Sequence, residues 1–280
     1  MKLEKIISFA NKTSELRFLV MVRSLRDTGC NLPVWVIPYD NNKFDLPDNC
    51  IWWEIKEVIT LLEDNNIHCM KRKFQCFFTS NYQYVDADII FLTNPEHALA
   101  NLTGFITSCC HWNNPYYTYI QSTFELFRNK STTWQKSIFN SGQFACDIEL
   151  YDLNTLDEVI KNPLHHEALS EHDQISINLF VFLSGVKITN TTLPPYNIES
   201  TWAGDYLYDN YSDYWINKDK KPYIIHWAGC KMDIGRPIDQ LFLNYLTDVE
   251  RQEWEKKLIE ARKQKVQNRF HRMFSFFKRF

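Results

Sequence analysis

The sequence predicts an α/β domain with a mostly parallel central sheet flanked by helices, followed by a basic amphipathic helix at the C-terminus. Near the start, two short apolar runs stand on either side of a helix-length amphipathic segment, which is the strand-helix-strand pattern of a parallel sheet. Near the end, basic residues alternate with apolar residues at helical spacing. We therefore expect a main domain at residues 1–247 and a helical tail at residues 248–280.

The composition is that of one folded domain with a short appendage. The chain has 280 residues, and its 45% hydrophobic and 15% aromatic residues can form a sizeable core. No apolar stretch approaches the ~20 residues that span a bilayer, and the eight cysteines form no CxxC pair. We expect a cytoplasmic protein with reduced thiols, attached at most peripherally to the inner face of the cell membrane.

Charge is distributed unevenly along the chain. Residues 251–280 hold ten Lys or Arg and three Glu, whereas the residues before them hold 21 basic and 31 acidic ones. The acidic body, without a recognised nucleic-acid-binding module, argues against nucleic acid as a partner. The basic tail, with Trp254, Leu258, Phe270 and Phe277 among its apolar positions, predicts attachment to an anionic membrane surface. The alternative is that this helix packs on the main domain or on a second subunit.

The first elements predict a nucleotide site. A strand at Ile6–Phe9, a helix that ends at Gly29 and a strand at Pro33–Pro38 form a βαβ unit, whose crossover is right-handed. The carboxyl ends of the two strands then lie side by side, at the edge where open α/β folds bind nucleotides. The residues expected there are Phe9, Ala10, Asn11 and Asp40. The alternative is that they are ordinary strand-end residues.

Two carboxylates interrupt a later apolar run. The segment 53–80 is predicted to be mostly helical, with a basic run at 71–73, and it leads into an apolar strand broken by Asp86 and Asp88. A buried carboxylate costs several kcal/mol unless it is paired or bound to a metal. In an extended chain, residues i and i+2 project to the same side, so both can offer oxygen ligands to Mg²⁺ or Mn²⁺. The alternative is an Asx-type turn at the end of the strand.

Three later segments carry further polar residues beside apolar runs. A strand-like run at Ile138–Phe144 is broken by a small polar triplet, and an apolar segment at Ile175–Val186, either helix or strand, follows Asp173. The last predicted strand, Lys221–Ile225, leads directly into His226. A histidine at the end of an apolar strand is often only a packed core or edge residue.

Four motifs, in this order, resemble those of GT-A glycosyltransferases, most closely family 8 and its relatives. They are Tyr84–Ile90, Phe139–Gly142, Asp173-Gln174 with Asn178, and His226–Gly229 with Lys231, within a similarity that spans roughly residues 5 to 235. The resemblance implies a GT-A, Rossmann-like fold. It also implies metal-dependent transfer of a hexose from a nucleotide-diphosphate sugar, with a UDP-sugar as the first expectation. The acceptor would be a glycan or a lipid-linked glycan in surface polysaccharide or lipopolysaccharide assembly.

The resemblance assigns roles to individual residues. Asp86, Asp88 and His226 would bind the metal, with Mn²⁺ expected before Mg²⁺ because imidazole suits Mn²⁺ better. The residues expected to bind the donor are Phe9, Ala10, Asn11, Asp40, Arg72, Lys73, Asp86, Ala87, Asn140, Ser141, Gly142, Gly229 and Lys231. Lys231 departs from the family 8 pattern: it stands five residues after the histidine instead of six, and Met-Asp replaces Pro-Trp after it. The donor preference of family 8 therefore cannot be carried over.

Asp173 and Gln174 are the expected catalytic residues. The resemblance places them beside the transferred sugar, opposite the metal, where they can bind hydroxyls or stabilise developing positive charge. A general-base role for Asp173 would imply inversion at the anomeric centre, whereas the resemblance favours retention. Trp202 and Tyr206 are expected to form an aromatic platform for the acceptor sugar, although abundant aromatic residues are mostly core residues.

Two other classes of function remain open at this stage. A nucleotidyltransferase also uses a carboxylate-held metal at the edge of an α/β sheet. The absence of a Gly-rich, basic phosphate loop near residue 10 argues against that class. The other class is a catalytically silent nucleotide-sugar-binding module that keeps the fold. Retention of Asp86, Asp88 and His226 together argues against it.

Overall fold

The computed structural model describes residues 1–206, 210, 211, 215, 220–230, 232, 236–260 and 263. Its strands are β1 Lys5–Ala10, β2 Val34–Pro38, β3 Cys50–Trp52, β4 Tyr82–Asp86, β5 Ile89–Phe91, β6 Phe105–Thr107, β7 Gln143–Cys146, β8 Ile188–Asn190 and β9 Ile224–His226. Seven of them form one sheet in the order β3-β2-β1-β4-β7-β6-β8, while β5 and β9 pair separately. Four of the six pairings in the large sheet are parallel. The predicted α/β class with a mostly parallel sheet is confirmed.

Helices flank this sheet. The α-helices are α1 Glu15–Asp27, α2 Lys56–Asp64, α3 Pro95–Ala98, α4 Gln121–Lys130, α5 Leu153–Lys161, α6 His166–Ser170, α7 Asp173–Ser184 and α8 Pro237–Leu243. Among the 3-10 helices, the longest is Cys69–Phe78, and another covers Ala203–Tyr206. Residues 248–260 are also helical. Within the described part of the chain, no helix combines the length and the apolar character required to cross a membrane.

The predicted βαβ unit is confirmed. β1 and β2 pair in parallel, and α1 connects them through a left-handed turn at Gly29, whose φ is 80°. Alternate residues of β1 point to opposite faces of the sheet, so Ile6 and Ile7 belong to different core clusters. β1 also pairs in parallel with β4, with Phe9 opposite Asp86. This pairing brings the first predicted nucleotide-site residues beside the first predicted metal ligand.

The predicted extended arrangement of Asp86 and Asp88 is wrong. β4 ends at Asp86 in the seven-stranded sheet, the chain turns at residues 87–88, and β5 begins the two-stranded sheet. The apolar residues on either side of the aspartates therefore belong to two different sheets. The turn interrupts the apolar run because the chain has to change partners here, from β7 to β9.

Three other predicted segments differ in detail. The segment 53–80 contains α2 and the long 3-10 helix, with irregular chain between them. The run Ile138–Phe144 is strand only from Gln143 onward, because the backbone of Phe139 is bound by a side chain of α7 instead of a neighbouring strand. The apolar segment after Asp173, left open as helix or strand, is helix α7.

The start of the predicted tail contacts the main domain. Arg23 on α1 donates two hydrogen bonds to Glu250, at 2.6 and 2.8 Å, and Trp254 packs on Phe242 with ring centroids 5.3 Å apart. Thr247 and Glu250 bond to each other's backbone N–H in a capping box. The described part of the tail thus packs on the domain, which is one of the two predicted arrangements, while residues 264–280 lie outside the described residues.

We expect Glu250→Gln to loosen this attachment in a pH-dependent way. The hydrogen bonds from Arg23 lower the pKa of Glu250 to about 2 from its ordinary 4.5. The depressed pKa stabilises the fold above pH ~4.5, and that contribution is lost as the pH falls towards 2. The variant should lose about 1–2 kcal/mol of unfolding free energy at pH 7 and almost none near pH 2. Urea unfolding at both pH values measures this. An equal loss of unfolding free energy at both pH values would contradict the ion-pair explanation.

Candidate functional site

Asp86, Asp88 and His226 meet where the two sheets adjoin. Asp86 ends β4, Asp88 lies in the following turn, and His226 ends β9, which pairs with β5 so that Ile89 stands opposite the histidine. The His226 Nε2 atom lies 3.2 Å from Asp88 Oδ1 and 4.0 Å from Asp86 Oδ2. One ligand atom from each residue lies within 4.8 Å of the other two. Three residues far apart in the sequence therefore form one compact cluster.

Gly142 makes this close approach possible. A Cβ atom at position 142 would lie under 3.0 Å from His226 Cε1, from Asp86 Oδ2 and from Asn140 Oδ1. The backbone carbonyl of Gly142 also accepts the N–H of Asp86 at 2.8 Å, which fixes the end of β4. Any larger residue would occupy the space into which the imidazole and the carboxylate project.

The two oxygens of Asp86 have different surroundings. Oδ1 accepts a hydrogen bond from the Tyr84 hydroxyl at 2.5 Å and lies 2.9 Å from the Lys73 ammonium. Oδ2 is the oxygen that faces His226. Because donors from the protein hold Oδ1, the carboxylate is oriented with Oδ2 towards the cluster.

The residues of the cluster fit a divalent cation. Burial would lower the pKa of His226, but Asp88 and Asp86 outweigh it and raise the pKa above its ordinary value. Burial would likewise raise the pKa of Asp88, but His226 holds it below its ordinary value. Two carboxylate oxygens and one imidazole nitrogen are a donor set for Mn²⁺ or Mg²⁺. Binding of a cation would require the imidazole of His226 to be neutral.

Lys73 joins the cluster to the predicted catalytic residues. Its buried ammonium lies 2.9 Å from Asp86 Oδ1 and 2.7 Å from Asp173 Oδ2, so one lysine bridges two carboxylates. Burial would lower the pKa of Lys73, but Asp86 and Asp173 together raise it. Ser141 donates a further hydrogen bond to Asp173 Oδ2 at 3.1 Å. The lysine is therefore charged and held in place.

Asn178 on α7 holds the loop that carries the polar triplet. Its amide bonds both the N–H of Phe139, at 3.0 Å, and the carbonyl of the same residue, at 2.8 Å. Within the loop, Asn140 donates to Gln174 Oε1 at 2.9 Å, and its own Oδ1 accepts the N–H of Gly142. The sequence motifs at 139–142 and 173–178 thus form one hydrogen-bonded unit, which positions the backbone of Gly142 against the metal cluster.

Two clefts meet at this unit. The larger has a volume of about 1070 Å³, and the smaller, of about 420 Å³, lies at the carboxyl ends of β1 and β2. Both are lined by Met70, Lys73, Asp86 and Asp88. Other predicted residues in the smaller cleft are Phe9, Ala10, Asn11 and Ala87; those in the larger are Asn140, Ser141, Gly142, Asp173, Gln174, Trp202, His226 and Gly229. A ligand with two parts can therefore lie across the metal cluster.

Three predicted residues are not brought to the clefts. Asp40 stands behind the smaller cleft, where it accepts a hydrogen bond from the Asn11 amide at 2.8 Å. Arg72 bonds the carbonyl of Pro38 and the carboxylate of Glu63 instead. Tyr206 is buried, with its hydroxyl bound to the carbonyl of Ser200. A further predicted residue, Lys231, lies outside the described residues, so its predicted role stays a prediction.

Sequence reasoning missed several lining residues. Arg17 lines the smaller cleft and lowers the pKa of Asp88 together with His226. Arg17 lies in the first turn of the helix after β1, and this position could have predicted that it lines the cleft at the end of β1. Tyr117 and Asp205 in the larger cleft lie in 3-10 helices that carry no periodic pattern, so the sequence held no comparable signal for them.

No protein-family model and no curated protein matches this sequence. Among solved structures, the chain is similar to the apo structure of WbbM, a bifunctional glycosyltransferase, with a TM-score of 0.56 and 13% identity. The match covers 88% of this chain and 50% of WbbM, so this chain spans half the length of that protein. It is also similar to the galactosyltransferase LgtC in complex with donor and acceptor sugar analogs, with a TM-score of 0.49, 11% identity, and coverage of 90% of this chain and 99% of LgtC.

The chain has the α/β fold of GT-A glycosyltransferases. The seven-stranded, mostly parallel sheet with flanking helices and the likeness to WbbM establish this fold. Membership of family 8 in particular stays a prediction. At 13% identity the likeness concerns the fold alone, so the function must be argued from the site.

Proposed function

We propose that this protein is a metal-dependent glycosyltransferase that moves a hexose from a nucleotide-diphosphate sugar, with UDP-sugars first, to a hydroxyl of a glycan or lipid-linked glycan. The observation that carries the proposal is the Asp86–Asp88–His226 cluster at the junction of two clefts. The smaller cleft at the strand ends suits a nucleoside, and the larger suits the donor sugar with an acceptor.

The cation would be Mn²⁺, or else Mg²⁺, held by Asp86, Asp88 and His226. When bound, it supplies positive charge that stabilises the departing nucleoside diphosphate. The chain's own contribution is to orient the ligands: Tyr84 and Lys73 hold Asp86 Oδ1, which leaves Oδ2 facing His226, where it would bind the cation. Gly229 and Lys231 are proposed to lie near the diphosphate.

The donor sugar would lie against the loop 140–142. Gly142 allows the close approach, while Asn140 and Ser141 offer polar groups beside Gln174 and Asp173. The nucleoside would lie against Phe9, Ala10 and Asn11, with Asp40 supporting Asn11 from behind. The lining of the two clefts supports these proposed positions.

Retention of the anomeric configuration is favoured by the surroundings of Asp173. Burial would raise its pKa, but the ion pair with Lys73 outweighs burial and lowers the pKa below the ordinary value. A carboxylate that already accepts bonds from Lys73 and Ser141 is a weak general base, which disfavours inversion. In the retaining reaction, the bond from the anomeric carbon to the diphosphate breaks, and a bond to the acceptor oxygen forms on the same face. The acceptor proton passes to the departing diphosphate.

The acceptor's place in surface polysaccharide or lipopolysaccharide assembly rests on the motif resemblance. Peripheral attachment to an anionic membrane rests on the basic tail, most of which, at residues 264–280, lies outside the described residues. Deleting residues 264–280 and measuring co-sedimentation with anionic vesicles tests this part of the proposal.

The proposed reaction is tested with a panel of nucleotide sugars, with and without Mn²⁺, by following release of nucleoside diphosphate. We expect slow hydrolysis of one donor that requires the cation and falls at least about 100-fold in Asp88→Ala. Asp45→Asn, a change at an exposed aspartate outside the clefts, is the matched control and should retain activity. Metal-dependent binding of UDP without any turnover would favour the silent-module alternative instead.

A further inference from the structure

Trp202 presents an aromatic ring at the wall of the larger cleft. Its side chain is 42% exposed although the residues on either side of it, Thr201 and Ala203, are fully buried. The indole Nε1 donates a hydrogen bond to the carbonyl of Ala228 at 2.9 Å, and the Trp202 backbone forms a β-bridge with His226. The ring is therefore held at a fixed position next to the metal cluster.

Gly204 supports one face of this ring. A Cβ atom at position 204 would lie under 3.0 Å from the Cε2 and Cζ2 atoms of Trp202, so the indole lies directly against the backbone of this glycine. With that face covered, the opposite face is the one available to a ligand in the cleft. A flat, fixed and solvent-exposed ring is unusual for tryptophan, whose apolar area is normally buried.

Polar residues line the same cleft as the ring. Asp205 lies three residues after Trp202, and the Ser200 hydroxyl donates to its Oδ2, so Oδ1 can accept a hydrogen bond from a ligand. Asn113 and Asn114 also line this cleft. A flat apolar surface in a cleft that also holds an aspartate and two asparagines matches the two kinds of surface on a pyranose, the C–H groups of its ring face and its hydroxyls.

We propose that this wall is the acceptor subsite and that it accepts a neutral pyranose, stacked on Trp202 with a hydroxyl bound to Asp205. The inference rests on the proposed function, since the subsite has a role only if a sugar is transferred to it. The carboxylate of Asp205 selects against acceptors whose terminal sugar carries a carboxylate or phosphate there, because like charges at contact distance repel.

Direct binding tests this subsite without catalysis. Saturation-transfer NMR is recorded on the full chain with UDP and Mn²⁺, using methyl glycosides of glucose, galactose and N-acetylglucosamine as probes. We expect at least one probe to bind through its ring face. Its affinity should fall about tenfold in Trp202→Ala, equivalent to about 1.4 kcal/mol, and about threefold in Trp202→Phe. Tyr116→Ala, which removes an exposed aromatic side chain that does not line the cleft, should leave the affinity unchanged.

Charge selection is tested with methyl glucuronide against methyl glucoside. The wild type should bind the glucuronide several-fold more weakly, and Asp205→Asn should reduce that ratio to about one. The proposal is overturned if none of the neutral glycosides binds the wild type, if binding survives Trp202→Ala, or if Asp205→Asn leaves the ratio unchanged. It is equally overturned if Trp202→Ala weakens UDP binding as much as glycoside binding, since the ring would then serve the donor.

Failure of the subsite and failure of the proposed function give different results. Donor hydrolysis in the absence of any acceptor reports on the proposed function alone. If the wild type hydrolyses a donor but the Trp202 and Asp205 variants bind the glycosides as the wild type does, only the acceptor subsite is wrong. If no donor is hydrolysed and UDP does not bind, the proposed function itself fails.

Discussion

Gly142→Ala should abolish metal-dependent donor turnover, with a fall of at least about 100-fold in kcat/KM. The new Cβ would collide with the imidazole of His226 and with Asp86 Oδ2, two of the three proposed ligand groups. One of them has to move, and the metal site then loses its geometry. Donor hydrolysis with saturating Mn²⁺ measures the effect.

Gly29→Ala is the matched control for this substitution. Gly29 has a φ of 80°, which strains any other residue, but nothing lies within 4 Å of a Cβ placed there. The control should therefore lose on the order of 1 kcal/mol of stability and keep its activity. If Gly142→Ala retained wild-type activity, the close approach at position 142 would have no functional role.

Lys73→Met should be the most destabilising single change in the site. The substitution removes the cation between Asp86 and Asp173 and leaves both carboxylates partly or fully buried without their shared partner. Breaking a buried ion pair from one side costs about 3–5 kcal/mol, which corresponds to a fall in Tm of roughly 10 °C. Donor turnover should also be lost, because Asp86 is no longer oriented.

A second substitution separates the effect of the unpaired carboxylates on stability from the effect of lost packing. Adding Asp173→Asn to Lys73→Met removes one of the unpaired carboxylates, so the double variant should be more stable than Lys73→Met alone. Thermal unfolding of the wild type, both single variants and the double variant gives the four stabilities of a double-mutant cycle. If the loss of stability in the double variant equals the sum of the losses in the two single variants, Lys73 and Asp173 do not interact. That result would contradict the bridging role.

The parts of the site that could be predicted were those with a local signal. An apolar run that stops at a polar residue marks the end of a strand, and parallel strands bring such ends to one edge. This reasoning grouped Phe9, Ala10, Asn11 and Asp40, and the first three do line one cleft. The motif resemblance grouped the acidic pair with the histidine after the last strand, and the structure brings one ligand atom of each within 4.8 Å of the others.

The basic run at 71–73 shows what the local pattern could not provide. Arg72 and Lys73 are adjacent and chemically alike, yet only Lys73 enters the site. The segment is a 3-10 helix, in which successive side chains point about 120° apart, so which residue faces inward depends on the start of the helix. That start, at Cys69, is capped by His68 and has no apolar repeat that reveals it.

The aromatic pair at 202 and 206 was ambiguous for a similar reason. Both residues belong to a segment with a short 3-10 helix, where spacing does not separate a core face from a surface face. Tyr206 packs against Trp215 with ring centroids 5.2 Å apart, whereas Trp202 faces the cleft. Tertiary packing decides between the two environments: Tyr206 belongs to a core cluster with residues of β9 and α8, whereas the Trp202 backbone forms a bridge with His226.

Titration of Mn²⁺ in the presence of UDP, followed by electron paramagnetic resonance, tests the central claim most directly. We expect the wild type to bind one Mn²⁺ per chain, and Asp88→Asn and His226→Ala each to weaken that binding at least about tenfold. The exposed-site control Asp45→Asn should bind as the wild type does. If Asp88→Asn and His226→Ala bind Mn²⁺ as tightly as the wild type, the cluster is not the metal site and the proposed function loses its basis.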